Sequence, residues 1–292
     1  MSGEWHIGVI GGSGLYSDVG LADAQLIDVN SPFGKPSGPV AIGHIGAVKF
    51  SFIARHGEGH VLPPGMINYR ANIDALKRCG VTDVVSISAV GSLREDFAPG
   101  EFVAIDQLID RTQGRERSFF GSGLVAHLNL ADPICDRLSK IAADAAEKAG
   151  GTVHRGGCYI AIEGPQFSTR AESRMYRQWG ADIIGMTAMP EARLAREAEL
   201  PYALLGMVTD YDSWRDNDAG VEAAEIVAVM KANAKLARDS LAKLAQLLPS
   251  KRTPSPADTA LDGAFITAPD YQEAAVLARL DAVARRILKP FD

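Results

Sequence analysis

The chain has 292 residues, 47% of them hydrophobic and 23% charged, with a net charge of −6, the balance of an ordinary globular protein with a large core. No dense Lys/Arg stripe runs through it, which argues against a nucleic-acid partner, because binding a phosphate backbone needs clustered cations. No stretch approaches the ~18 continuous apolar residues of a membrane span, and MSGEWHIGVIGG lacks the charged and apolar regions of an export signal.

Strand and helix patterns alternate along the chain. WHIGVIG (5–11) is a short apolar strand ending in glycines, and VAIGHIGAVKFSFIAR (40–55) is two strands turning near Gly46. NYRANIDALKRCG (68–80) is a helix with a Gly stop, and TDVVSISAVGS (82–92) is a β-branched strand. DPICDRLSKIAADAAEKAG (132–150) is a helix with Asp132 at the N-cap and Pro133 in the first turn. TVHRGGCYIAIEG (152–164) is a strand, and 168–180 a helix with Thr169 and Glu172 at capping-box spacing. ADIIGMT is a strand, PEARLAREAE a helix, PYALLGMVTDYD (201–212) a strand, and a long helix follows over 221–247.

Strands this apolar do not face water. The pattern predicts an α/β fold with a central mixed, mostly parallel twisted sheet flanked by helices. Residues 1–248 form one domain on this reading. A Pro-rich connector and an amphipathic helix over 271–288 complete the unit at 249–292, with Val276, Leu277, Leu280, Val283 and Ile287 on one face. That face packs back on the domain or lies at a subunit contact. Cys79, Cys135 and Cys158 are far apart and suit reduced thiols in the cytoplasm.

In sheets of this kind ligands gather beyond the carboxyl ends of strands, and polar clusters sit at several such ends. VIGGSGLY (9–16) offers Ser13 beside exposed amides, an anion nest or simply a turn. It is not the dinucleotide fingerprint, since Ser17 stands where a Gly is required. In FIARHGEGH (52–60), Arg55 supplies a fork of donors and His56 another. His56 and His60 have the spacing of a helical metal pair, but Gly57 and Gly59 oppose a helix and no third ligand is evident. The same text matches the phosphohistidine motif of phosphoglycerate-mutase-like phosphatases, and an Arg in a surface ion pair is the plainest alternative. SISAVGSLRED (86–96) turns through Ser88 and Ala89, IEGPQFSTRAES (162–173) carries Phe167, and IIGMTAMPEA (183–192) carries Met186 and Thr187. In VTDYDSW (208–214), Asp210 and Asp212 are two apart, so an extended chain points both carboxylates to one face.

Taken together, GGSGLY, SPFGKPSG, ARHGEGH, SAVGSLRED, IEGPQFSTRAESRMYRQWGADIIGMTAMPEARLAREAE and VTDYDSW, in order over residues 7–214, resemble the trimeric purine nucleoside phosphorylase family, and within it the methylthioadenosine-cleaving branch. The resemblance implies that inorganic phosphate, a co-substrate with no further cofactor, displaces a purine from C1′ of a small nucleoside. It places phosphate against Ser13, Arg55, His56, Ser88, Ala89 and Thr187, the ribose along Met186, the purine against Phe167 and the base edge against Asp210 and Asp212. His127 would line the 5′ pocket, which a neighbouring subunit of a homotrimer closes. Asp210 is the expected proton donor to N7, with Asp212 holding the shared proton and the 6-amino group.

Two carboxylates favour an amino group at C6 over the oxo group that an Asn would serve. Ala223, Ile226 and Val227 stand where family members acting on ordinary nucleosides keep a His for the 5′-hydroxyl, and suit a 5′-methylthio or bare 5′-methyl group instead. The alternatives are a 6-oxopurine nucleoside or methylthioinosine phosphorylase, a phosphohistidine phosphatase, and a non-catalytic nucleoside sensor.

Overall fold

The computed structural model describes residues 4–12, 20–216 and 223–288, with backbone alone at 223–227 and 230–232. The first four strands are β1 (His6–Gly11), β2 (Ala22–Ile27), β3 (Val40–Ile45) and β4 (Val48–Ala54), with Gly46 at φ 60° turning β3 into β4. Then come α1 (Tyr69–Arg78), β5 (Asp83–Ser92), β6 (Phe102–Ala104), β7 (Gln107–Arg111), α2 (Asp136–Lys148), β8 (Val153–Arg155) and β9 (Cys158–Ile162). The chain continues through α3 (Arg170–Gln178), β10 (Ile183–Gly185), α4 (Ala188–Glu197), β11 (Tyr202–Asp210), α5 (Ala223–Leu247) and α6 (Ala274–Arg279).

All eleven strands among the described residues join one sheet that branches at β5. Along its first half β5 lies parallel to β1 on one side, and β11 runs parallel to it almost from end to end on the other. At Gly91 and Ser92 the antiparallel β10 takes over, leading to β9 and β7. Among the described residues six of the ten strand pairs are parallel, the mixed, mostly parallel sheet that the sequence predicts.

Side chains that alternate along a strand feed two cores. Val84, Val90, Leu204 and Val208 pack with Ile73 and Leu76 of α1 and Leu194 of α4. Val85, Ile87, Leu205 and Met207 pack with Leu138 of α2 and Leu241 of α5. Helices therefore cover both faces, and no described helix is long and apolar enough to cross a membrane. Helix ends follow local chemistry. The Asn68 side chain accepts from the Ala71 amide at the start of α1, and Thr169 and Glu172 form the reciprocal capping box of α3.

Three boundaries differ from the sequence reading. The helix expected from Asp132 starts only at Asp136, because the Cys135 amide donates to the Tyr202 carbonyl (2.8 Å) and Cys135 itself is held extended. The strand expected over 152–164 is two, broken at Gly156 (φ 82°) and Gly157 (φ 134°), with β8 pairing β6 and β9 pairing β10 and β7. The 271–288 segment is helical only over α6 and continues as turns, in which hydrogen bonds to the third residue back alternate with bonds to the fourth. Its apolar residues pack on the α1/α4 core, where Leu280 and Val283 are buried and Val276, Leu277 and Ile287 half-buried.

Candidate active site

Several of the expected residues border β5 between Ser86 and Gly91. Arg55, one residue beyond β4, is fully buried, and Glu191 of α4 takes its Nε (2.6 Å) and Nη2 (3.2 Å). Nη2 also donates to Ser86 Oγ (2.5 Å), while Ser86 Oγ (2.9 Å) and Tyr202 Oη (2.9 Å) donate to Glu191 Oε2. The expected surface alternative for Arg55 is thus replaced by a buried, closely satisfied ion pair. Among the described residues Nη1 has only a 3.4 Å contact with the Ile87 carbonyl. Burial depresses the guanidinium pKa, but the charge and hydrogen bonds of Glu191 outweigh it and raise the pKa above its usual value.

His56 is buried beside this pair, with Nδ1 2.8 Å from the Leu62 carbonyl. A carbonyl only accepts, so Nδ1 carries the proton. Burial, with the Arg55 charge adding to it, pushes the ring pKa down to about 4. His56 stacks on His60 with ring centroids 4.1 Å apart and planes within 8°, so the two rings do not converge on a metal. Among the described residues no group of three metal-binding side chains occurs.

Two residues further along β5, Ser88 Oγ lies 3.3 Å from Thr187 Oγ1, and Ala89 follows it. Thr187 is buried at the start of α4, the helix that supplies Glu191. Arg55, Ser88, Ala89 and Thr187 therefore border one stretch of one strand. Ser13 lies outside the described residues, as do the side chains of Ala223, Ile226 and Val227.

The two carboxylates meet over Gly91. A Cβ there would stand 2.9 Å from Asp210 Oδ1 and 3.2 Å from Asp212 Cβ, so only glycine admits the pair. They do not share the face of an extended strand, as the spacing suggested. The strand ends at Asp210, and Asp212 turns back at φ 49° with its amide donating to Asp210 Oδ1 (2.8 Å). A short polar side chain tolerates this left-handed backbone, and the Asp210 carboxylate closes the turn. Trp214 fixes the exit by donating from Nε1 to the Ser92 carbonyl (2.9 Å).

Burial raises the pKa of both carboxyls. For Asp210 the Thr209 hydroxyl (2.7 Å) and the Asp212 amide oppose the rise. Asp212 reaches about 6, through burial first and the Asp210 charge in addition, against a 2.5 Å hydrogen bond from Ser173 Oγ.

Met186 packs on the loop between β9 and α3, since a Cβ on Gly164 would meet Met186 Sδ at 2.4 Å. Phe167 in that loop is 41% exposed. Its neighbour Ser168 is buried, and its hydroxyl has no hydrogen-bond partner among the described residues. His127 is exposed, with its amide on the Ala264 carbonyl (2.9 Å), and no hydrogen bond or ring contact among the described residues joins it to the cluster. The sequence reading missed Glu191 and Ser173. A glutamate in a helix and a serine in a helix carry no signal until the fold buries them.

Two open clefts lie apart from the cluster, one of about 650 Å³ beside Arg177, Trp214 and Arg215 and one of about 490 Å³ beside Asp106, Asp132 and Arg155. Neither is lined by Ser88, Thr187 or Asp210, so neither collects the donors and acids described above.

Residues 6–246 match the family described as the phosphorylase superfamily. An S-methyl-5′-thioadenosine phosphorylase of Cereibacter sphaeroides is 54% identical over 97% of this chain and 98% of its own. Among solved structures, a methylthioadenosine phosphorylase from an antarctic soil metagenomic library superposes with a TM-score of 0.90 at 44% identity, covering 97% of this chain and 99% of that one. Methylthioadenosine phosphorylase from Schistosoma mansoni, in complex with adenine, superposes at 0.80 and 37% identity over 84% and 92%. The chain belongs to the phosphorylase superfamily, and within it to the group of the S-methyl-5′-thioadenosine phosphorylases.

Proposed function

We propose that the chain catalyses phosphorolysis of S-methyl-5′-thioadenosine to adenine and 5-methylthioribose 1-phosphate, with 5′-deoxyadenosine as a second substrate. The relatives' names support the reaction class. The observation that carries the chemistry is the buried Asp210–Asp212 pair seated on Gly91, next to the Ser88–Thr187 contact.

Cleavage of the C1′–N bond builds positive charge on the ribose and negative charge on the purine. Phosphate held by Ser13, Ser88, Ala89, Thr187 and Nη1 of Arg55, with its own P–OH donating to Nε2 of His56, stabilises the first and then attacks C1′. A protein nucleophile is not needed. The purine is neutralised by a proton at N7. A carboxyl with a pKa near 6 is protonated in about a tenth of molecules at pH 7, far more often than an ordinary aspartate. Asp210 already accepts through both oxygens, from Thr209 and from the Asp212 amide. The two carboxyls hold that proton as one unit, with Asp210 as the donor to N7 and Asp212 holding the shared proton. The ionised partner accepts the 6-amino group of adenine.

Met186 would lie along the ribose and Phe167 on the purine. Ala223, Ile226 and Val227 would form the apolar 5′ pocket, with His127 at its rim. A homotrimer would set a neighbouring subunit against that pocket. The exposed Val125 and Ile266, which lie side by side, are consistent with such a contact.

The test is adenine release from methylthioadenosine with and without phosphate, with inosine alongside. Phosphate-dependent adenine release and an inert inosine are expected, and Asp210→Asn should nearly abolish turnover while substrate still binds. Binding without phosphate-dependent cleavage would point to a sensor, and a covalent phosphoenzyme at His56 to a phosphohistidine enzyme.

A further inference from the structure

Arg115 lies in the loop after β7, outside every contact proposed for substrate, yet its side chain is only 2% exposed. Its Nε donates to Glu163 Oε2 (2.8 Å). Its Nη1 donates to the carbonyls of Met186 (2.7 Å) and Met189 (2.9 Å) and to Tyr69 Oη (3.0 Å). Its Nη2 donates to the Glu163 carbonyl (2.7 Å), with a longer contact to that of Ile162 (3.4 Å). One guanidinium thus grips two loops. The first leaves β9 and carries Phe167; the second joins β10 to α4 and carries Met186 and Thr187.

We infer that Arg115 is a positioning residue for phosphorolysis, locking the Met186–Thr187 turn and the 162–167 loop at the spacing that brings sugar, base and phosphate into line. The inference rests on the activity proposed above. The Met186–Thr187 peptide is trans, so its C=O and N–H point in opposite directions. Holding the Met186 oxygen on the Arg115 side therefore turns the Thr187 amide away from it, and the Thr187 hydroxyl meets Ser88. Neither loop can drift without leaving a buried carbonyl or a buried cation unpaired, and hydrogen bonds from a charged donor are the stronger kind. A lysine cannot replace this grip, because an ammonium offers its three donors from one point while the guanidinium spreads five over a rigid plane.

The test compares Arg115→Lys and Arg115→Ala with wild type by varying phosphate and methylthioadenosine, with thermal melts in parallel. A displacement near 1 Å costs about 100-fold in rate, so Arg115→Lys is expected to lose about 100-fold in kcat/KM, with a raised KM for phosphate in folded protein. Added methylguanidinium should restore part of the activity of Arg115→Ala. A kcat that falls only with the folded fraction, both KM values unchanged, overturns the inference. Should neither variant fold, Tyr69→Phe and Glu163→Gln each weaken one part of the grip. A raised phosphate KM in either supports the role, and wild-type kinetics in both refute it. A wild type that releases no adenine refutes the activity and this role with it. An active wild type with unchanged variants refutes the role alone.

Discussion

Asp212→Asn should make the protein more stable at pH 8 and inactive. In the folded chain Asp212 is 6% exposed, and the pKa of its carboxyl rises from 3.8 to about 6. At about 1.4 kcal/mol per tenfold, that rise means the ionised side chain destabilises the native state by up to roughly 3 kcal/mol. The direction follows from proton binding. Between pH 3.8 and 6 the native state holds a proton that the unfolded chain has lost, so the destabilisation is absent below pH 3.8, grows through that window and is complete above pH 6. Asparagine cannot ionise, tolerates the left-handed φ of 49° and still accepts from Ser173. The weaker, uncharged hydrogen bond costs about 1 kcal/mol, leaving a net gain of about 1–2 kcal/mol at pH 8. Urea unfolding of both proteins at pH 4 and pH 8 reads this directly. A variant less stable than wild type at pH 8, or a difference of equal size at both pH values, would refute the reasoning.

Gly91→Ala would put a methyl 2.9 Å from Asp210 Oδ1 and 3.0 Å from Ile184 Cγ2. It should lower kcat at least about tenfold by displacing the acid pair, while overpacking costs about 1–3 kcal/mol in a denaturant titration. Arg55→Met or Glu191→Leu alone leaves a buried charge unpaired and should cost about 3–5 kcal/mol. The double substitution should cost clearly less than the sum of the two, measured as a double-mutant cycle, and should still weaken phosphate binding.

Much of this architecture is legible in the sequence where one local signal acts alone. The capping box at Thr169 and Glu172 and the turn at Gly46 are short-range chemistry, and both form as read. The reading fails where a distant partner decides. The Tyr202 carbonyl, 67 residues from Cys135, delays α2, and two different neighbour strands split 152–164 at its glycines. The carboxylates could be seen as a pair because they are two residues apart, but the reversal at Asp212 depends on a hydrogen bond that periodicity does not encode. Arg115 and Glu191 were invisible for a plainer reason. Either could serve as a solvated surface charge, and only the assembled sheet buries them.

The branching of β5 also sets the order in which the chain can fold. Its longest neighbour, β11, begins about 110 residues after β5 ends. At a ribosomal pace of about 5–20 residues per second, β5 spends roughly 6–22 seconds with one long edge unpaired. During that interval its β-branched residues form an exposed, sticky template for other strands. Synthesis of β11 closes that edge and delivers Asp210 to Gly91 in the same event, so completion of the central pairing and assembly of the acid pair are one step.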